Sequence, residues 1–331
     1  MRNQRFQNRI TTGRFTLPVA ILISVTCWIL IAILLPEIEV QKDNYPLWNL
    51  FCDSCIPRWG NHIFSFIVYA FIGYFLIGLN NAFAIIRMRA SVQTAIYFLL
   101  ISICPSIQML YAGDLAAVTF LIALYFLFKS YQQSKSSGNL FHTFAFIGIG
   151  SLLFPQLTLF VPIFWIGSYG FQSLHLKSFF ASLVGWSMPY CFLMGYSYLS
   201  GQTELFYQPF LELINFQPVE FNFQSWELAT IGYLFLLYIV SSAHCLIAGY
   251  EDKIRTRSYL HFLIFLNFCI FVYIGLQPGL FLHLLPLLLI GTSILIGHLF
   301  VLTNSRTSNI FFFIMLIGLF LLFGFNLWTL L

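Results

Sequence analysis

The feature that most constrains this chain is the alternation of charge sign between its long apolar runs. When the runs are threaded through a membrane in sequence order, Arg2, Arg5, Arg9, Arg14, Arg87, Arg89, Lys129, Lys135, Lys177, Lys253, Arg255, Arg257 and Arg306 fall on one side, and Lys42 and Arg58 on the other. The acids divide the opposite way. Glu37, Glu39, Asp43, Asp53, Asp114, Glu204, Glu212, Glu220 and Glu227 share the second side, leaving Glu251 and Asp252 on the first. Lys and Arg concentrate in cytoplasmic loops. The pattern therefore predicts a multi-pass bacterial inner-membrane protein with its N-terminus in the cytoplasm and its C-terminus outside. Charged residues make up only 8% of the chain, against about 25% in a soluble domain, and no polar stretch is long enough to fold separately. Residues 1–331 are thus expected to form one all-α integral-membrane domain, a polytopic helical bundle. The net charge of +4 resides mainly in cytoplasmic loops, where it sets topology rather than binding nucleic acid.

A helix needs about 20 apolar residues to cross the hydrocarbon core. Runs at 17–35, 61–80, 92–110, 115–129, 178–199, 226–248, 259–276, 280–301 and 309–331 fit that length or approach it. The first run ends at Leu35-Pro36-Glu37 rather than at small residues, so it reads as an uncleaved anchor. The stretch 140–170 is bounded by Lys135 and Lys177, which favours an even number of crossings. Pro155 divides it into two runs of about 14 residues, each about 21 Å as a helix. It is expected to be a hairpin with its tip outward, either re-entrant or built of short, tilted helices. The count is then about 11 crossings, or about nine with a re-entrant hairpin.

The outer loops hold the chemistry. In 37–60, Tyr45, Trp48, Phe51 and Trp59 surround Asp43 and Asp53, and Leu47 to Phe51 could lie flat at the headgroup level. In 200–225, the stretch 206–216 looks interfacial and carries Glu212. Asp114 opens a helix at the outer surface, where an N-cap role satisfies free N–H groups. Cys52 and Cys55 form a CxxC suited to a small disulfide or a redox pair in an oxidising periplasm. No second CxxC or paired histidine accompanies it, so no metal site is expected. His244, His283 and Asn267 fall in or near spans, and Asn267 reads as helix–helix glue. No acid falls mid-span, which argues against a proton-coupled pump. Walker, dinucleotide-binding and GxSxG motifs are absent from the sequence.

Two resemblances follow. The segment Gly113-Asp114-Leu115-Ala116-Ala117 through Leu127-Phe128-Lys129, followed by Phe146 to Pro155, resembles multi-span GT-C type glycosyltransferases that use lipid-linked sugars. The chain departs from them in lacking a double-acidic motif in the first loop and a soluble periplasmic domain. The Phe-rich spans, the hairpin residues Gly148 and Gly150 to Pro155, and Gly185 before Pro189-Tyr190 resemble uncharacterised inner-membrane proteins of Bacteroidota. The first resemblance implies a polyprenyl-phosphate sugar as partner, alongside membrane lipids. Asp43, Asp53 or Asp114 would be the general base. Arg58 or Lys42 would stabilise the leaving phosphate, and a divalent cation could substitute for them. The alternatives are a non-enzymatic subunit or scaffold of an envelope assembly, and a transporter of a lipid-like substrate.

Overall fold

The structure is a computed structural model that describes residues 6–11, 13–35, 45, 47–48, 58–86, 91–214, 223–303 and 305–331. Among these the chain is helical throughout, with no strand. A short α1 (Phe6–Thr11) leads into α2 (Thr16–Leu34), and the next long helix is α3 (Arg58–Phe83). Next come α4 (Val92–Ser102), α5 (Ala112–Lys129), α6 (Ser137–Leu153), α7 (Val161–Gly170) and α8 (Leu176–Leu199). The rest of the chain forms α9 (Glu204–Ile214), α10 (Ser225–Ala248), α11 (Ile254–Leu276), α12 (Phe281–Leu302) and α13 (Arg306–Leu330). Among the described residues, seven helices are long and apolar enough to cross a membrane: α2, α3, α5, α10, α11, α12 and α13. The protein is a multi-pass membrane protein.

The axis of the bundle is α12. It is apolar on nearly every face, as a helix buried on all sides must be, and nearly every residue from Phe281 to Phe300 is buried. It packs on α4, α5, α10 and α11. By contrast α2 is only 22% buried and lies at the periphery against α4.

Two apolar runs of the sequence are broken rather than continuous. The run 92–110, expected as one span, ends its α-helix at Ser102 and continues as a 3-10 turn over Pro105–Gln108. The cause is Pro105, which has no N–H to donate and pushes Cys104 into extended backbone (φ −105°, ψ 101°). Eleven residues of helix reach only about 17 Å. The broken backbone is tolerated because all four residues of the turn are buried in protein.

Pro155 breaks the second run in the same way, between α6 and a 3-10 turn over Pro155–Phe160. The result is the expected hairpin. Its two ends meet: the Gln132 N–H donates to the Phe171 carbonyl (2.9 Å) and the Ser136 hydroxyl to the Ser173 carbonyl (2.5 Å). The chain therefore returns to the end of the bundle from which it entered. Against this hairpin lies α8, in the most extensive helix pair of the fold. Close approach there requires glycine: a Cβ on Gly185 would stand 2.4 Å from the Phe141 carbonyl oxygen, and one on Gly148 would stand 2.7 Å from that of Trp186. Lys177, Pro189 and several Ser, Tyr and Trp residues lower the hydropathy of α8. Together with the short α4, α6 and α7, this explains why fewer helices meet the spanning criterion than the apolar runs suggested.

Asn267 does sit at a helix–helix contact, its amide lying over Gly291 of α12. It is fully buried, but its side-chain nitrogen and oxygen have no hydrogen-bond partner among the described residues. It is thus a polar spacer over a glycine rather than the interhelical hydrogen bond expected of it.

Candidate functional site

A buried polar cluster forms where α3, α5 and α12 meet the break after α4. The chain turns inward at Pro105, so α5 begins inside the bundle and not at its surface. Asp114 is consequently fully buried. It is the third residue of α5, and Tyr111 holds the N-cap position in extended backbone (φ −113°, ψ 160°). The carboxylate reaches back so that Oδ2 accepts the Tyr111 N–H at 2.9 Å. Asp114 thus caps the helix from inside its first turn, correcting the expected N-cap placement at the outer surface. Its Oδ1 accepts the Tyr69 hydroxyl at 2.5 Å. Tyr69 lies about 16 Å along α3 from the Arg58 end, which shows how deep the carboxylate sits.

The surrounding contacts fix this arrangement. A Cβ on Gly113 would stand 2.4 Å from the Cα and carbonyl oxygen of His283, so α5 and α12 touch backbone to backbone there. His283 is enclosed by the rings of Tyr111 (5.7 Å between centroids), Tyr45 (5.7 Å) and Phe154 at the hairpin break (5.3 Å). The Ser65 hydroxyl donates to the Ile107 carbonyl (3.0 Å), tying α3 to the 3-10 turn. Tyr97 of α4 is buried within electrostatic range of Asp114, and its hydroxyl has no hydrogen-bond partner. The same holds for the fully buried amide of Gln108.

Two apolar clefts lie along α2. The inner one, of about 510 Å³, lies between the first half of α2 (Phe15 to Ile23), α4 and α13. The outer one, of about 330 Å³, lies between the second half of α2 (Val25 to Ile33) and His62, Ile63 and Phe66 of α3. Their linings include the exposed apolar residues Val19, Ile29, Ile33 and Ile63, so both clefts open at the apolar surface of the bundle. Trp28 lines the outer cleft and donates its indole N–H to the His62 carbonyl (3.2 Å). Its ring also meets that of Tyr69 at 5.9 Å, edge to face. Trp28 thus belongs both to the cleft lining and to the surroundings of the Tyr69–Asp114 pair.

Of the residues singled out from the sequence, Asp43, Asp53, Lys42, Cys52 and Cys55 lie outside the described residues. Arg58 opens α3, and its side chain is likewise outside them. Asp114 is therefore the one candidate carboxylate among the described residues, and it is joined to Tyr69. Of the stretch Leu47 to Phe51, expected to lie flat at the headgroup level, only Leu47 and Trp48 are among the described residues, and both are buried, as is the neighbouring Tyr45. Aromatic rings suit an interface and a core equally, which is why the pattern misled. Most of the stretch read as interfacial forms a short helix, α9, with Tyr207, Leu211 and Ile214 exposed and Glu212 half-exposed; residues 215–216 lie outside the described residues. Glu227 accepts the Gln224 N–H (2.9 Å) at the start of α10.

Sequence reasoning did not find Tyr69, which carries no local signal. It also did not find the group His244, Cys245 and His298, whose ligand atoms lie within 4.8 Å of one another and could hold a metal ion. No family model, curated protein or solved structure matches the chain.

Proposed function

We propose that this is an inner-membrane enzyme that handles a polyprenyl-phosphate sugar at the outer leaflet and transfers the sugar in the manner of GT-C type glycosyltransferases. The observation that carries the reading is the pair of apolar clefts along α2, the outer one lined by Trp28, whose ring meets the Tyr69 that bonds Asp114. Apolar walls suit an isoprenoid chain, and a cleft open to hydrocarbon lets it enter sideways without crossing water. The sugar-phosphate head then lies toward the first outer loop.

In this reading Asp43 or Asp53 takes the proton of the acceptor hydroxyl. The hydroxyl oxygen bonds to the anomeric carbon as the bond from that carbon to the phosphate oxygen breaks. The electron pair leaves on the polyprenyl phosphate, stabilised by Lys42 or Arg58 or by a divalent cation. Asp114 is given a positioning role, because both of its oxygens already accept hydrogen bonds inside the bundle. It holds Tyr69, and through it Trp28, at the end of the cleft.

The test is turnover of radiolabelled polyprenyl-phosphate sugars by the full chain in nanodiscs. Wild type should transfer or hydrolyse the sugar, and Asn in place of the true base at 43 or 53 should cost about 10²–10⁴-fold. No turnover by wild type, or unchanged turnover in Asp43→Asn and Asp53→Asn alike, overturns the proposal. A second reading, transport of a lipid-like substrate, is favoured by the wholly apolar lining of the outer cleft. It predicts flux into liposomes with no sugar released.

A further inference from the structure

At the opposite, basic end of the bundle lies a second cluster that the glycosyl-transfer reading does not use. His244 and Cys245 stand at the end of α10. His298 comes from the buried core of α12, and Asp252 from the turn that joins α10 to α11. His298 is fully buried, Asp252 and Cys245 nearly so, and His244 is half-buried. His298 Nε2 lies 3.0 Å from Asp252 Oδ2, and its Nδ1 lies 3.5 Å from Cys245 Sγ. The ring centroids of His244 and His298 are 6.1 Å apart.

We propose that His244, Cys245 and His298 bind a zinc-type divalent cation, with Asp252 as the carboxylate that orients His298. The argument begins from the tautomer. A carboxylate can only accept a hydrogen bond, so Asp252 places the ring proton of neutral His298 on Nε2. The Nδ1 lone pair then faces the Cys245 sulfur and is ready to donate to a metal. A histidine ligand with its other nitrogen on a carboxylate is the recurring outer-shell arrangement of protein zinc sites.

The distances agree. Tetrahedral bonds of about 2.3 Å to sulfur and about 2.0–2.1 Å to nitrogen put the two donors roughly 3.5 Å apart, the separation found between Cys245 and His298. The third donor lies within 4.8 Å of the others. His244, at the partly exposed edge, can close that gap by rotating its ring. One thiolate and two imidazoles form a donor set of borderline softness that suits zinc and excludes magnesium or calcium. On binding, the Cys245 thiol gives its proton to solvent, its sulfur pair goes to the cation, and the histidines bind as neutral rings. Three protein ligands leave a fourth position for water. The bound ion would clasp the α10–α11 turn to the central helix.

Cys245, His298 and Asp252 also have the order of a nucleophile, base and orienting carboxylate. Cys245 is only 1% exposed, however, and neither cleft is lined by it, so no substrate carbonyl reaches the sulfur. The third donor, His244, has no task in such a triad and an evident one in a metal site.

The experiment is metal analysis of the full-length protein in detergent, purified after exposure to zinc and dialysed, with cobalt(II) substitution as the second readout. The expected result is about one zinc per chain and a sulfur-to-cobalt charge-transfer band, both lost in Cys245→Ser. Asp252→Asn should keep the site but weaken its affinity about 10–100-fold. His244→Asn, at the half-exposed edge, tests the site without disturbing the core should the other variants fold poorly, and it too should lose the ion. The proposal is overturned by wild type that holds no zinc and gives no cobalt band. It is equally overturned by zinc that persists in Cys245→Ser and His244→Asn.

Discussion

Replacing Tyr69 by Phe removes one hydroxyl and leaves the shape of the core unchanged, so its effect isolates the bond to Asp114. Wild-type Asp114 Oδ1 accepts that hydroxyl at 2.5 Å in a fully buried setting. A hydrogen bond to a charged group contributes about 1.5–3 kcal/mol in folded proteins. Interhelical hydrogen bonds in membranes average about 0.6 kcal/mol and reach about 1.7. Tyr69→Phe should therefore destabilise the protein by about 1–2 kcal/mol, toward the upper end of the membrane range because the acceptor is a carboxylate with no water to replace the lost donor.

Asp114→Asn tests the other side. The Asn oxygen can accept the Tyr111 N–H while its amide donates to the Tyr69 oxygen, but the Tyr69 hydroxyl hydrogen then loses its acceptor. It should cost about 1–3 kcal/mol for the donor left unpaired. In the double variant the two losses should overlap, giving a coupling of about 1 kcal/mol or more. The assay is reversible unfolding in mixed micelles for wild type, both single variants and the double variant. Strict additivity, or a Tyr69→Phe cost within about 0.3 kcal/mol of zero, would refute a buried pair that organises this end of the bundle.

Three further outcomes follow from the packing. Gly185→Leu places a side chain where even a Cβ stands 2.4 Å from the Phe141 carbonyl oxygen; it should lower the thermal midpoint in detergent, reflecting a cost of about 1–3 kcal/mol or more, whereas an unchanged midpoint would mean α6 and α8 do not meet there. Cysteines introduced at Gln133 and Gln172, at the joined base of the hairpin, should react with an impermeant thiol reagent from the same side of the membrane, and one at Thr203 from the other. Labelling of the first two from opposite sides would contradict a returning hairpin. Trp28→Ala should merge the outer cleft with the space before Tyr69, and should change polyprenyl-phosphate binding while Trp328→Ala, on an exposed face of α13, leaves it unchanged.

The membrane helices were legible because lipid imposes length and polarity on any chain that crosses it. For that reason α2, α10, α11, α12 and α13 appear within a few residues of the apolar runs. Hydropathy does not register a proline as a break, so the run holding Pro105 read as one span. Pro155 was recognised because the runs on its two sides were visibly short and both outer flanks were basic. At the site, Asp114 stood out as an acid opening an apolar helix, but its depth depends on the turn at Pro105 and its partner lies 45 residues away. His298 lies in a run of Leu and Ile, 53 residues from Cys245. Only the packing of α12 against α10 unites them, and no local spacing could have announced it.

The most direct test of the central claim is photo-crosslinking with a polyprenyl phosphate that carries a photoactivatable group along its chain, mapped by mass spectrometry on the full chain in nanodiscs. The account predicts adducts on the cleft residues of α2 and α3, such as Val25, Ile29, Ile33 and Ile63, displaced by excess unlabelled polyprenyl phosphate. Labelling spread evenly over the lipid-facing surfaces of α8, α10 and α13, with no displacement, would contradict it.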